Sequence, residues 1–414
     1  MAATALPCLA MITGIGWVGP FGVGGHDLVA DVLSANRTAI GAIAGFATAG
    51  LSRQLGAEVP DAYLPEAEET RRWSRLSQMT VAACRQAVAE AGLHGSKTLQ
   101  HVGLVVGTEF GDLRSTEAFA RGFLRKGPLG LSPMLFPNTV MNAMAGTTSI
   151  ALGLQGPMLT LNQKGIAGEI AVVRAIALLR AKRAPAVLVC GVDELFPTLY
   201  ETLALLNVPS PRNGRKEACL PFDRRHNGPV LGEGATALVV ESPAYARARR
   251  APILAEVRSA CWGSLPARPH RYPSPRHLSQ RLLDRALADA AIRPEDVGVA
   301  YLSGSGDPYH DAAELALLAA AFGLAGPLAT SVTHLTGEYG GLGALRVAAA
   351  TATVTRGILP TLDYLRQPIR TDVCFATQRL SQPPAVVLVH GLARGGMQTA
   401  LLIGCSQHNG KVAQ

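Results

Sequence analysis

GPMLTLNQKGIAGEIAV, residues 156–172, reads as a short strand, a tight turn at Lys164-Gly165 and an apolar helix running to about residue 183. A strand-turn-helix of this kind presents one side chain at a helix N-terminus. There the partial positive charge lowers a thiol pKa and stabilises oxyanions. The residue at the turn is Gly165, which has no side chain to present. The frame is that of a nucleophilic enzyme, and the nucleophile is missing.

Working outward, the chain of 414 residues is long enough for about two to three ordinary domains or one large two-part unit. Hydrophobic residues make up 48% and aromatics 5%, with 44 glycines and a mean hydropathy of +0.21, which suits tightly packed α/β layers. The most apolar window, 166–191, is broken by Glu169, Arg174, Arg180, Lys182 and Arg183, so no membrane span is expected. The N-terminal MAATALPCLAMITGIGW lacks a basic start and reads as a first strand. The seven cysteines are scattered, with no CxxC and no Cys/His pair at ligand spacing. Neither a disulfide framework nor a metal site is expected, and a cytoplasmic location follows. Net charge is +8, with basic clusters at Arg71-Arg72-Arg75, Arg121-Arg125-Lys126, Arg212-Arg215-Lys216, Arg224-Arg225 and Arg247-Arg249-Arg250. No recognition motif or stacking aromatics accompany them, so nucleic acid is not expected as a partner. A solvated surface or an acidic protein partner accounts for the charge.

The literal GxGxxG at Gly14, Gly16 and Gly19 fails as a dinucleotide site. Pro20 and further glycines stand where the helix should propagate, and no acidic strand end follows about 20 residues on. Beyond it the pattern predicts an amphipathic helix over 71–91, a strand over 102–106 and a short helix over 147–154. Strands follow at 186–190 and 235–241. A charged, Pro-bounded stretch at 243–251 is the candidate linker. A second half then repeats the order, with strands at 253–259, 299–303, 385–390 and 399–403 and helices at 278–291, 311–322 and 341–356. Two such halves, 1–245 and 250–414, imply one closely packed five-layer α/β/α/β/α sandwich with a pseudo-twofold axis.

The ordered landmarks ITGIGWVGPFG (12–22), VVGTEFG (105–111), IALGLQGP (150–157), PFDRRHNGPVLGEGATALVVE (221–241), SGSGDPYHDAAE (303–314) and TGEYGGLGAL (336–345) carry a family resemblance. The chain resembles the β-ketoacyl synthases of the thiolase fold over nearly its whole length. The resemblance implies enzymes that join an acyl group to a malonyl unit held on acyl carrier protein, with no cofactor. It implies a Cys nucleophile, two His residues that stabilise the enolate, and a Lys supporting one His. This sequence departs at every position. The nucleophile falls on Gly165. The first His, in a His-Gly-Thr triplet, falls on Ser305, the second on Glu338, the Lys on Thr333, and the gating Phe on Arg394. An anionic Glu338 would oppose the negative charge that develops in decarboxylation.

The resemblance narrows to a chain-length-factor-like subunit, non-condensing, paired with an active β-ketoacyl synthase in a type II polyketide or fatty-acid system, polyene systems included. Such subunits commonly carry Gln at the Cys position, and here Gln163 lies two residues early. The family dimerises through the strand before the nucleophile turn, here Met158, Leu159, Thr160, Leu161 and Asn162, with Asn138 to Met144 nearby. Met141, Met144 and Gly146 are candidates for tunnel lining or for ordinary core filling. Two other readings stay open. One is acyl-thioester transfer or hydrolysis through Ser305, His334 and Glu338. The other is a carrier-protein-binding homodimer. Asp311 and Glu314 read as a brace at a helix start, His270, Tyr272, His277 and His310 as loop or helix-end residues, and 265–275 as an exposed loop.

Overall fold

The computed structural model describes residues 8–65, 70, 72–212 and 214–406. Residues 1–7 of the expected first strand and Arg71 of the expected helix lie outside the described residues.

Ten strands form one long path whose two ends carry the same order. In the first half, Ala10–Gly19 is followed across the sheet by Gly234–Glu241, Ala186–Asp193, Gly103–Thr108 and Met158–Asn162. In the second half, Ala255–Ser264 is followed by Met397–Gly404, Val386–Leu392, Val297–Tyr301 and Leu328–Thr330. The two first strands meet antiparallel through only three residue pairs, Ala10 to Ile12 against Val257 to Ala255. An antiparallel seam between equivalent strands is what a pseudo-twofold axis requires. The two half-sheets are therefore hinged along one seam rather than separate.

Strand residues alternate between two buried layers, as a sheet covered on both faces demands. Val187 and Val189 enter a core shared by both halves, while Ala186, Leu188, Cys190 and Val192 enter an outer core. In the second half Val387 and Val389 join the shared core, and Val386 and Leu388 a third cluster. The helices Ala167–Arg180 and Gly343–Arg356 fill the shared layer. Arg75–Glu90 covers the first half from outside, and Arg281–Ala290 with Pro308–Phe322 covers the second. The result is the α/β/α/β/α order expected from the sequence.

Three local readings change. Gly14 and Gly16 lie inside the first strand, where a Cβ would stand 2.2 Å from the Ala87 carbonyl oxygen and 1.9 Å from that of Ala83. The glycine motif lets a helix approach the sheet. The stretch read as a linker begins with a helix, Pro243–Ala248, whose first turn is capped by Ser242. The short helix expected at 147–154 starts earlier, at Ala143.

Candidate functional site

The strand Met158–Asn162, the turn and the helix Ala167–Arg180 form as the sequence indicates. Gly165 sits at the turn with φ of +63°, and a Cβ built there meets no atom within 4 Å. Room for a side chain exists, but the backbone is in the left-handed region that favours glycine. The Gly165 N–H is already engaged, donating to Glu109 Oε2 at 2.9 Å. A carboxylate therefore occupies the donor that an acyl oxygen would use at this helix start. Glu109 was missed in the sequence, where it is one polar residue in a landmark loop. Burial, then nearby Asp193, pushes its pKa up to about 7.

Asp193 lies behind it. Its carboxylate accepts from the Thr108 hydroxyl at 2.7 Å and from the backbone N–H groups of Glu109, Phe110 and Gly341. Burial raises its pKa to about 6 against those hydrogen bonds. Glu338 also feels burial and is raised, with His310 and Arg394 opposing the shift. Carboxyl groups thus gather where condensation would need neutral or cationic donors.

Facing them is a cluster organised by His310. Its Nε2 lies 3.0 Å from Ser303 Oγ and its Nδ1 lies 3.2 Å from Ser305 Oγ. Ser303 also donates to Glu314 Oε1 at 2.8 Å and accepts from the Leu392 N–H. That pattern makes Nε2 a protonated nitrogen that donates to Ser303 Oγ. Tyr272 stacks flat on His310, with centroids 4.4 Å apart and planes 5° apart. Arg394 lies over the Tyr272 ring, 5.7 Å from its centroid, and reaches Asp307 at 3.4 Å. Arg212 holds the same Asp307 carboxylate at 2.9 Å. Burial works against the Asp307 charge, but Arg212, His310 and Arg394 together hold its pKa below the usual range.

One sequence expectation is corrected here. Ser305, His334 and Glu338 do not form a triad. The imidazole beside Ser305 belongs to His310, and His334 stands instead against Tyr364, with centroids 5.1 Å apart. The sequence reads His310 only as a loop or helix-end residue, because its spacing from Ser305 becomes meaningful only when the 303–307 turn folds back over the helix start. Ser305 and His310 are nonetheless 1% and 2% exposed, so the pair is sealed. The loop 265–275 is exposed along much of its length, as expected, but it is tied down. Leu265 N–H donates to the Gly396 carbonyl and Gly395 N–H to that of Arg271, so this loop and the Gly395-Gly396 turn form one lid.

Outside the lid lies a cavity of about 1070 Å³, lined by Arg212, Arg271, Tyr272, Asp307, Arg370 and Arg394 among others. Asp311 and Glu314 do brace structure, though not merely their own helix start. Asp311 accepts from the N–H groups of Phe222, Ser305 and Gly306, and Glu314 from Ser303 and His390. Thr333 is buried, with its hydroxyl 3.0 Å from that of Ser331. Among the described residues no group of three or more His, Cys, Asp or Glu side chains could hold a metal, and no helix is long and apolar enough to cross a membrane.

The expected dimer and tunnel residues divide. Met158–Asn162 is an edge strand, paired on one side only with Gly103–Thr108. Met158 and Leu159 are both exposed, as are Phe136, Val140, Met141 and Ile150 beside them. Asn138 is half-buried. Thr160 buries its hydroxyl without a partner, Leu161 packs on Ile166 and Ile170, and Asn162 donates to the Glu109 carbonyl. Met144 takes the second of its two readings, core filling: it is 1% exposed, in the outer core with Leu76 and Met79.

Known proteins extend this picture. The family description "Beta-ketoacyl synthase, N-terminal domain" matches residues 10–246, and "Beta-ketoacyl synthase, C-terminal domain" matches residues 254–364. The oxytetracycline polyketide putative beta-ketoacyl synthase 1 of Streptomyces rimosus is 28% identical over 95% of this chain and 96% of its own length. The 3-oxoacyl-[acyl-carrier-protein] synthase 2 of Synechocystis is 30% identical over 85% of this chain and 87% of its own. Among solved structures, the ishigamide ketosynthase/chain length factor superposes with a TM-score of 0.87 at 24% identity, covering 97% of this chain and all of that one. A type II polyketide acyl-carrier protein in complex with its ketosynthase superposes with a TM-score of 0.83 at 19% identity, again over 97% and 100%. This chain belongs to the β-ketoacyl synthase family and has its thiolase-like fold.

Proposed function

We propose that this protein is a non-condensing member of the family that pairs with an active β-ketoacyl synthase in type II polyketide or fatty-acid biosynthesis, in the cytoplasm. Family membership alone does not carry this reading, since the relatives above are named as synthases. The observation that carries it is the Gly165 turn, with no side chain and its N–H engaged by a buried carboxylate. Condensation there would have neither nucleophile nor free oxyanion donor. Losing one preorganised donor typically costs about 10²–10³ in rate, and this site departs at several positions together.

We also read the family's His-Gly-Thr triplet as better matched by Ser303-Gly304-Ser305 than by a triplet starting at Ser305. That register keeps the central Gly and a hydroxyl third residue, and Ser303 is as close to His310 as Ser305 is. In either register the first His is a serine.

The exposed edge strand supports pairing. An unpaired strand with apolar residues on both faces is a surface that proteins cover. Through it this chain would stabilise its partner and shape the partner's acyl tunnel. The cationic rim of the 1070 Å³ cavity supports contact with an acidic acyl carrier protein. The test is co-expression with a candidate partner ketosynthase from the same organism, followed by native mass measurement. A one-to-one complex is expected. A chain that stays a homodimer, or a purified chain that condenses acyl and malonyl groups alone, would overturn the reading.

A further inference from the structure

The cavity of about 1070 Å³ outside the lid has two chemically different parts. One side is the helix Pro308–Phe322, whose N-cap is Asp307. Asp307 holds that helix start by accepting from the Tyr309 N–H at 3.0 Å. Arg212, from the segment after the helix Pro197–Leu205, and Arg394, from the lid, both reach its Oδ2. The Asp307 side chain is 5% exposed, while those of Arg212 and Arg394 are 22% and 30% exposed. The carboxylate is therefore hidden, and the two guanidinium groups carry the accessible N–H donors. Two cations against one anion leave one positive charge at this end.

Beyond this end the same helix lines the cavity with Ala312, Ala313 and Ala316, which stand at the spacing of one helix face. From Asp307 to Ala316 the helix rises about 13 Å. Small side chains there leave room, and Leu206, Val208 and Leu278 close the apolar part from other segments. Among the described residues that line the cavity, Asp307 is the one acid, against four arginines. Arg370 is balanced by Asp372, to which its Nε donates at 2.9 Å. Arg271 is exposed and screened by solvent. The charge that selects a ligand is thus the single surplus between Arg212 and Arg394.

A ligand that fills this space needs one negative charge at one end and an apolar body. A neutral chain would leave the surplus cation without a counter-ion, and a dianion would exceed it. A carboxylate carries one charge and accepts from two guanidinium groups at once. We propose that the cavity binds a free medium-chain fatty carboxylate, its head on Arg212 and Arg394 and its tail along Ala312 and Ala316. An extended octanoate fits within the length of that helix face. Gly165 and the edge strand take no part. Binding is read on the isolated chain, so its failure would leave the pairing with a synthase untouched.

The test is calorimetric titration of the full chain with octanoate, 1-octanol and octyl phosphate, which share a tail and differ in the head. Octanoate should bind tighter than about 1 mM, and octanol about tenfold or more weakly than octanoate. Arg212→Met should weaken octanoate about tenfold or more, as loss of a charged hydrogen-bonding partner does. Ala316→Trp fills the apolar part from a half-buried position and should abolish octanoate binding. It also serves as the test if Arg212→Met does not fold. No octanoate binding up to about 1 mM, or octanol binding as tightly as octanoate, would overturn the proposal. So would octyl phosphate binding more than about tenfold tighter than octanoate, or octanoate binding that survives Ala316→Trp.

Discussion

Gly165 and Glu109 form the smallest unit with a consequence. Gly165→Cys would restore a thiol in open space but force a left-handed φ on a side chain. We expect it to cost about 1 kcal/mol in denaturant unfolding. The thiol should be alkylated by iodoacetamide, yet no condensation should follow, because Glu109, Glu338 and Thr333 remain. Condensation at the rate of an active synthase would show that Gly165 was the single defect. Glu109→Gln tests the carboxylate itself. Burial raises the Glu109 pKa from 4.5 to about 7, so the folded state holds a proton that the unfolded state releases over that window. The stability this contributes is full below pH 4.5 and is lost as pH rises through 7. The variant should therefore match the parent near pH 5 and exceed it at pH 8, by at most about 3 kcal/mol. Urea midpoints at the two pH values measure this, and an equal effect at both would exclude it.

Between elements, the two central helices are joined by a buried ion pair. Arg346 Nε donates to Glu169 Oε1 at 2.8 Å, and the two side chains are 2% and 0% exposed. Glu169 Oε2 has no partner, so the pair is not fully satisfied. Removing only Arg346, as in Arg346→Met, strands a buried charge and should cost about 3–5 kcal/mol. The double variant with Glu169→Leu should recover most of that loss, which a thermal or denaturant series would read. The edge strand gives the other element-level prediction. Leu159→Lys places a charge on the unpaired edge and should abolish the complex with the partner synthase on size exclusion. Its unfolding midpoint should barely move, since Leu159 is 39% exposed. A complex that survives the substitution would place the interface elsewhere.

Across the whole molecule, buried carboxyls and histidines pull stability in opposite directions. Burial raises Glu194 to about 8 and Glu109 to about 7, which favours the folded state at low pH and weakens it as pH climbs through those values. Burial lowers His26 and His334 to about 4 from 6.5, so their contribution is present above 6.5 and is lost as pH falls toward 4. Between pH 6.5 and 8 only the carboxyl effect remains. Stability should fall across that interval. A urea series over pH 5 to 8 checks it, and a rise between 6.5 and 8 would contradict these assignments.

The sequence by itself determined the layers and the repeat. Alternating apolar strands and 3.6-period helices are local signals, and strands such as Ala186–Asp193 and Val386–Leu392 are buried along their full length. It also determined that Gly165 bears no nucleophile, since residue identity needs no structure. The strand Leu328–Thr330 was not legible, being three residues long with its pairing supplied by Val297–Tyr301. Only the tertiary structure decided that His310, not His334, accompanies Ser305, that Met144 faces the outer core, and that Glu109 closes on Gly165 from 56 residues away. Hydrogen bonds and burial between distant segments depend on how elements stack and which way each side chain points. Periodicity fixes which face a residue lies on, but not which residue it meets there.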